Sequence, residues 1–211
     1  MMMVTAQSTP LVVNILWLVL AVFIWGVVHS MTASLGVKGW ARRTLGVTGM
    51  RFYRLGYNVF SVMSFLPVLW LMVVLPDREL YRIPAPWVYL SLAGQLLAVV
   101  ILGTGVLQTG ALSFVGLRQL VEEKEHSPRL VTGGVYRWVR HPLYTAGLLF
   151  IWLTPVMSLN SLVVFIAATV YILVGAFFEE RKLEREFGQT YVEYKARTPM
   201  LIPGLKFGWN K

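Results

Sequence analysis

The sequence LVVNILWLVLAVFIWGVVHSM, from Leu11 to Met31, contains no Asp, Glu, Lys or Arg. A helix of about 20 apolar residues crosses the hydrocarbon core of a bilayer, so this stretch predicts a transmembrane helix. Four further apolar stretches of this kind lie at 55–75, 87–107, 142–157 and 161–178. We therefore predict an all-α integral membrane protein of about five transmembrane helices, with residues 1–211 forming a single membrane domain.

The composition of the chain agrees with a membrane location. Hydrophobic residues make up 56% of the 211 residues and charged residues 14%, against roughly 25% charged residues in a soluble domain. The absence of cysteine excludes disulfides, thiolate metal sites and a cysteine nucleophile. His29, His126 and His141 lie far apart, without the spacing of a metal-binding pair, so no metal site is predicted.

The distribution of basic residues predicts the orientation in the membrane. Of the 19 Lys and Arg residues, only Arg78 and Arg82 fall on one side of the five predicted helices. The others lie after the first helix, before Pro142 and after Phe178. The positive-inside rule then places the N-terminus outside and the C-terminus in the cytoplasm, and we expect a bacterial inner-membrane protein. Because topology accounts for most of the net charge of +9, nucleic-acid binding is not expected.

Polar residues concentrate in two predicted cytoplasmic segments, 108–141 and 179–211. The segments flank the last two predicted helices, which only Ser158 to Asn160 separate. We expect these two helices to form a tight hairpin, with Pro155 bending or ending the first of them. The hairpin brings the two segments together, so a site for a soluble ligand is predicted between them.

Each of the two segments contains a motif that can bind a ligand. The first, GVYRWVRHPLYTAG from Gly134 to Gly147, has Pro142 where a helix begins, and the unpaired N–H groups of a first helical turn bind acceptor atoms. The second is Glu179-Glu180, of which only one side chain easily faces inward, because consecutive helical residues are about 100° apart. An inward carboxylate can bind an ammonium or hydroxyl group. The same residue types also fit membrane anchors and a solvated helix end.

The two motifs together resemble the isoprenylcysteine carboxyl methyltransferase and phospholipid methyltransferase superfamily, over about residues 112 to 205. The residues that carry the resemblance are Gly134, Tyr136, Arg140, His141, Pro142, Tyr144, Gly147, Glu179, Glu180, Leu183, Phe187, Gly188, Tyr191, Tyr194, Pro199, Ile202 and Pro203. The resemblance implies S-adenosyl-L-methionine as the cofactor. By position, it implies that the cofactor is lined by Leu130, Val131, Tyr136, His141, Pro142, Leu143, Tyr144 and Glu179, with Glu180 and Arg140 close by. We predict that Glu180 also binds the cofactor and that Arg140 is catalytic.

The remainder of the chain resembles a bacterial branch of this superfamily that includes methanethiol S-methyltransferases and NnrU-like proteins. Among the residues that carry this resemblance are His29-Ser30, Tyr53-Arg54 and Tyr57-Asn58. The isoprenylcysteine enzymes place an Arg one helical turn before the cofactor Glu, where this chain has Gly175. That departure makes a prenylated protein a doubtful substrate, and the bacterial branch implies a small or lipophilic acceptor, with a thiol preferred.

Two further residues are candidates for activating the acceptor. His29 lies near the inner end of the first predicted helix, and an imidazole titrates close to neutral pH, so it can accept a thiol proton. Arg118 can attract a thiolate or an acid. We predict His29 and Arg118 as catalytic residues together with Arg140. The alternative for His29 is a hydrogen-bonded interfacial histidine, and the alternative for Arg118 is a cytoplasmic anchor.

The sequence thus predicts a membrane methyltransferase that uses S-adenosylmethionine to methylate a thiol and takes up its acceptor from the membrane or the cytoplasm. Methylation of an isoprenoid or lipid carboxyl group, or of a phospholipid, is the alternative within the same chemistry. An NADPH-dependent sterol-type reductase is a second class, with a similar C-terminal arrangement but usually more helices. A non-catalytic membrane protein or transporter is a third class, and the lack of charged residues inside the spans weighs against ion translocation.

Overall fold

The computed structural model describes residues 11–117 and 129–205, which are mostly helical. In chain order the elements are α1 (Leu11–Ala33), α2 (Leu35–Val74), β1 (Glu79–Arg82), α3 (Trp87–Gln108), α4 (Ala111–Val115), a 3-10 turn (Gly134–Arg137), α5 (Pro142–Trp152), β2 (Val156–Ser158), α6 (Leu159–Phe187) and α7 (Gln189–Arg197). The predicted all-α membrane fold is confirmed, apart from the small two-stranded ribbon.

Within the described residues, four helical segments are long and apolar enough to cross a membrane: α1, Thr48–Val74 of α2, α3 and α6. Many of their large apolar side chains, such as Phe23 and Val73, are exposed. Exposed apolar faces of this extent suit contact with lipid rather than water. The expectation of about five spans therefore becomes four spans and one short helix.

The short helix is α5, in the stretch predicted as the span 142–157. Its 11 residues give a length of about 16 Å, roughly half the hydrocarbon thickness of a bilayer. It ends at Trp152, before Pro155, and the chain then enters β2, which pairs antiparallel with β1. A β-ribbon thus takes the place of the predicted tight helical hairpin.

The predicted loop between the first two spans is helical instead. Helix α2 begins at Leu35, where the Ser34 hydroxyl accepts a hydrogen bond from the Val37 N–H at 3.3 Å, and its one non-helical residue is Gly46, with φ +64°. Lys and Arg are good helix formers, so the basic residues here mark the end of the membrane without ending the helix. The extension carries Lys38 beside the cavity described below.

Helix α1 packs against α2 and α6, and α3 packs against α5. Leu18, Val22, Val68 and Val164 form a small buried core that joins α1, α2 and α6. Where α1 ends and α5 begins, the helices instead enclose a cavity.

Candidate active site

A large cavity lies among the ends of α1, α2, α5 and α6. Its volume is about 1120 Å³, above the roughly 300–1,000 Å³ usual for a small-molecule site. The predicted site residues that line it are His29, Leu130, Val131, Tyr136, Arg140, His141, Pro142, Leu143, Tyr144 and Glu179. Glu180 is not among the lining residues, and Arg118 lies outside the described residues. Over the described ranges, no three His, Asp or Glu side chains are grouped to hold a metal ion.

Glu179, Tyr144 and His141 form one side of the cavity, which we call the polar wall. The Tyr144 hydroxyl donates to Glu179 Oε2 at 2.7 Å, and His141 Nδ1 lies 3.6 Å from the same oxygen. The rings of His141 and Tyr144 stack at 5.3 Å with an interplanar angle of 20°. The Glu179 side chain stays 43% exposed, so its carboxylate keeps acceptor capacity for a ligand.

Glu180 points away from the cavity into the protein. Its Oε1 lies 2.6 Å from both Arg140 Nε and Arg140 Nη2, and both side chains are less than 10% exposed. Arg140 Nη1 also donates to the backbone carbonyls of Lys195, at 3.0 Å, and Thr198. The ion pair therefore joins the start of α5, the end of α6 and the tail. These contacts give Arg140 and Glu180 a structural role, while their roles in catalysis and cofactor binding stay predictions.

The tail after α6 fixes the start of α5 in a second way. The His141 N–H donates to the carbonyl of Met200 at 3.1 Å. Burial raises the pKa of Tyr194, whose neutral hydroxyl donates to the carbonyl of Tyr136. The C-terminal part of the motif thus holds the residues of the polar wall in place, and its Tyr191 and Tyr194 line the same cavity.

A second group of polar side chains lines the same cavity, where His29 on α1 lies between two tyrosines. Its Nδ1 is 2.8 Å from the hydroxyl of Tyr171 on α6, and its Nε2 is 2.7 Å from the hydroxyl of Tyr57 on α2. The Ser30 Oγ lies 3.0 Å from the same Tyr171 hydroxyl. All four residues line the cavity, and we call His29, Tyr57 and Tyr171 the histidine cluster. Because both ring nitrogens contact a phenol, a ligand reaches the imidazole through a tyrosine hydroxyl.

Aromatic packing fixes the orientation of the histidine cluster. The Trp25 ring centroid lies 4.9 Å from that of His29 and 5.4 Å from that of Tyr171. A Cβ at Gly26 would lie 3.0 Å from the Tyr171 ring, so the glycine makes room for it. Tyr57 and Tyr171 were not among the predicted site residues, because no local spacing in the sequence indicates a contact between residues 29 and 171.

Besides Arg129 and Arg140, three basic side chains line the cavity: Lys38 and Arg54 on α2 and Lys182 on α6. We call them the basic rim. In the part of the chain that the structure describes, none of them lies within ion-pair distance of a carboxylate. Burial, and then the charges of Lys182 and Arg54, lower the pKa of Lys38. None of these three residues was among the predicted site residues, although Arg54 belongs to the resemblance to the bacterial branch.

The chain is similar to membrane methyltransferases. A model of the family described as phospholipid methyltransferase matches residues 91–190. The methanethiol S-methyltransferase of Crocosphaera subtropica is 31% identical over 192 residues, covering 85% of this chain and 71% of that protein. The methanethiol S-methyltransferase of a Pseudomonas species is 32% identical over 186 residues, covering 83% of this chain and 68% of that protein.

A second kind of relative matches a shorter part of the chain. The protein-S-isoprenylcysteine O-methyltransferase of Mus musculus is 40% identical over 91 residues, which are 40% of this chain and 31% of that protein. No solved structure matches the chain.

Proposed function

Because the chain belongs to the phospholipid methyltransferase family, we propose that it S-methylates a small thiol, with S-adenosyl-L-methionine as the methyl donor. The relatives named methanethiol S-methyltransferase align with 83% and 85% of the chain, which supports a thiol acceptor. The alignment with the isoprenylcysteine enzyme covers only 40% of the chain, so it supports a prenylated acceptor less.

The observation that carries the proposal is that two unlike sets of side chains line one cavity. The polar wall presents a carboxylate and stacked rings, and the histidine cluster presents a proton acceptor. A volume of about 1120 Å³ supports the presence of two molecules, since single small-molecule sites are usually smaller. Transfer between two substrates requires such a shared space.

S-adenosylmethionine supplies, when bound, a methyl group on a positively charged sulfur. Glu179 would bind its ammonium group, and the stacked rings of His141 and Tyr144 would pack against its flat base. The first turn of α5 has no side-chain cap, which leaves the positive end of the helix dipole for acceptor atoms of the cofactor. The described residues therefore fit this cofactor.

A thiol becomes a good nucleophile only as its thiolate, so its proton needs an acceptor. Tyr57 takes the S–H proton while its own O–H proton passes to Nε2 of His29. The Nδ1–H of His29 donates to the Tyr171 hydroxyl and stabilises the resulting imidazolium. Tyr57 is therefore the contact with the acceptor, and His29 acts as the base through it.

The cavity lies at the end of the bundle where α1 ends and α6 carries Glu179 and Lys182. Most Lys and Arg residues of the chain follow α1 or α6 or precede α5. By the positive-inside rule, this end faces the cytoplasm of an inner membrane, where the cofactor is made available.

The proposal is tested by methyl transfer from labelled S-adenosylmethionine to a panel of acceptors, using detergent-purified protein. The panel contains methanethiol, a larger thiol, a prenylated cysteine, phosphatidylethanolamine and a fatty acid. We expect label on the thiols, and Glu179→Gln should reduce binding of S-adenosylhomocysteine. Cofactor binding without transfer to either thiol would overturn the acceptor class. Thermal stabilisation by NADPH but not by S-adenosylhomocysteine would favour a reductase.

A further inference from the structure

We propose that Lys38, Arg54 and Lys182, the basic rim, form an anion subsite that binds the acceptor as its thiolate. The inference rests on the proposed function and adds the charge state in which the acceptor binds. It concerns side chains that neither the motifs nor the relatives' names assign to the site.

The first observation is the difference in pairing between basic residues near the cavity. Arg140 is paired with Glu180 at 2.6 Å, and Lys195 is paired with Glu184 at 2.7 Å. The basic rim has no such partner among the described residues. Three like charges on one cavity repel one another, and an anion between them removes that repulsion.

The second observation is the environment of Lys38, which is half-buried instead of reaching freely into solvent. Burial, reinforced by Lys182 and Arg54, lowers the pKa of Lys38. A bound anion reverses this effect, because the protonated lysine and the anion stabilise each other. Other titratable side chains that line the cavity include Tyr53, Tyr57, Tyr171 and His29 and the charged Arg129, Arg140 and Glu179.

The third observation places the subsite next to the polar wall. Lys182 follows Glu179 by three residues on α6, so the two lie on one helix face about one turn apart. Gly175, one turn earlier on this face, lines the cavity, and a Cβ there would meet nothing within 4 Å. Open space for a small acceptor therefore lies along α6, beside the basic rim and the polar wall.

The subsite lowers the pKa of a bound thiol, because nearby cations favour the thiolate. The proton leaves through Tyr57 to His29, as proposed above. The thiolate sulfur then forms a bond to the methyl carbon, while the bond from that carbon to the sulfonium sulfur breaks and leaves its electron pair on the sulfonium sulfur. Both products are thioethers whose sulfur atoms carry no charge, and the attraction to the basic rim that held the thiolate is lost.

The test compares Lys38→Met and Lys182→Met with Arg43→Met, a control on the same arm of α2 whose side chain is exposed and does not line the cavity. We expect each rim variant to raise the KM for methanethiol by about tenfold, the effect of one favourable charge contact. Affinity for S-adenosylhomocysteine, which also reports folding, should stay within about twofold. Lys38→Arg keeps the charge and should keep the low KM.

A second measurement uses two inert probes of similar shape, the anion methanesulfonate and the uncharged dimethyl sulfone. Methanesulfonate should compete with methanethiol and stabilise the wild-type protein against heat, and dimethyl sulfone should do neither. Lys38→Met should abolish both effects. Because the thermal shift needs no turnover, it reports the subsite even if the wild-type protein methylates no thiol, which would contradict the proposed function instead.

Three results would overturn the subsite. The first is an unchanged KM and unchanged methanesulfonate inhibition in rim variants that bind S-adenosylhomocysteine normally. The second is a parallel loss of S-adenosylhomocysteine affinity, which would assign the basic rim to the cofactor's carboxylate. The third is an equal effect of Arg43→Met, which would assign these side chains to anionic lipid headgroups.

Discussion

Charged side chains are paired behind the polar wall, but in the described part of the chain they lack carboxylate partners at the basic rim. Behind the polar wall, Arg140 and Glu180 are buried and joined at 2.6 Å, and Glu179 accepts from Tyr144. The basic rim, in contrast, has no carboxylate partner within the described residues, and His29 contacts neutral phenols through its ring nitrogens. Paired charges hold the fold together, and charges left without a protein partner remain available to a ligand.

The largest effect that separates the two sides is expected on turnover. His29→Gln removes the proton acceptor, so kcat with methanethiol should fall by about 10²–10⁴-fold. Affinity for S-adenosylhomocysteine should not change, because the polar wall is intact. Ser30→Ala is the control, since it removes only the outer hydrogen bond to Tyr171. Unchanged turnover in His29→Gln would make the histidine cluster structural.

The next effect is on stability. Glu180→Gln leaves the buried guanidinium of Arg140 without its partner, which should lower the free energy of unfolding by about 3–5 kcal/mol. Glu184→Gln is the matched control, because the Glu184 side chain is 35% exposed and the loss of its pair with Lys195 should cost about 0–1 kcal/mol. Denaturant titration in detergent measures both. Equal stability of the two variants would remove the structural role given to Arg140 and Glu180.

The smallest effect is on acceptor choice. Gly175→Leu fills open space on the acceptor side, so kcat/KM for a larger thiol should fall about 10–200-fold more than kcat/KM for methanethiol. Gly103→Leu on α3 is the control, because that glycine is exposed, has open space at its Cβ and does not line the cavity. A uniform loss with all thiols would place the acceptor elsewhere.

Much of the polar wall was predictable because its residues belong to local motifs. Pro142 begins α5 as its position in the sequence predicts, and Glu179 lies at the cavity. The sequence did not predict that Glu179 faces the cavity while Glu180 pairs with Arg140. The angle between neighbouring helical residues does not say which of the two side chains meets an arginine 40 residues away. That choice depends on how α5, α6 and the tail pack.

The histidine cluster and the basic rim were harder to predict, because their residues come from three helices. Hydrophobicity located the spans but not the start of α2 at Leu35, and it overestimated the length of α5. The distribution of positive charge predicted that Lys38 and Lys182 lie on the cytoplasmic side of the membrane. It did not predict that they line the cavity. The contact of His29 with Tyr171 joins residues 142 positions apart, and only the packing of α1 on α6 reveals it.

The most direct test of separate cofactor and acceptor sides is one paired measurement on Glu179→Gln and Tyr57→Phe. The dissociation constant of S-adenosylhomocysteine is determined by calorimetry, and kcat with methanethiol is determined on the same preparations. We predict that Glu179→Gln weakens S-adenosylhomocysteine binding by about 10–100-fold, the effect of a lost hydrogen bond to a charged group. Tyr57→Phe should lower kcat and leave that binding unchanged. Equal losses of S-adenosylhomocysteine affinity in both variants, or none in Glu179→Gln, would contradict the account.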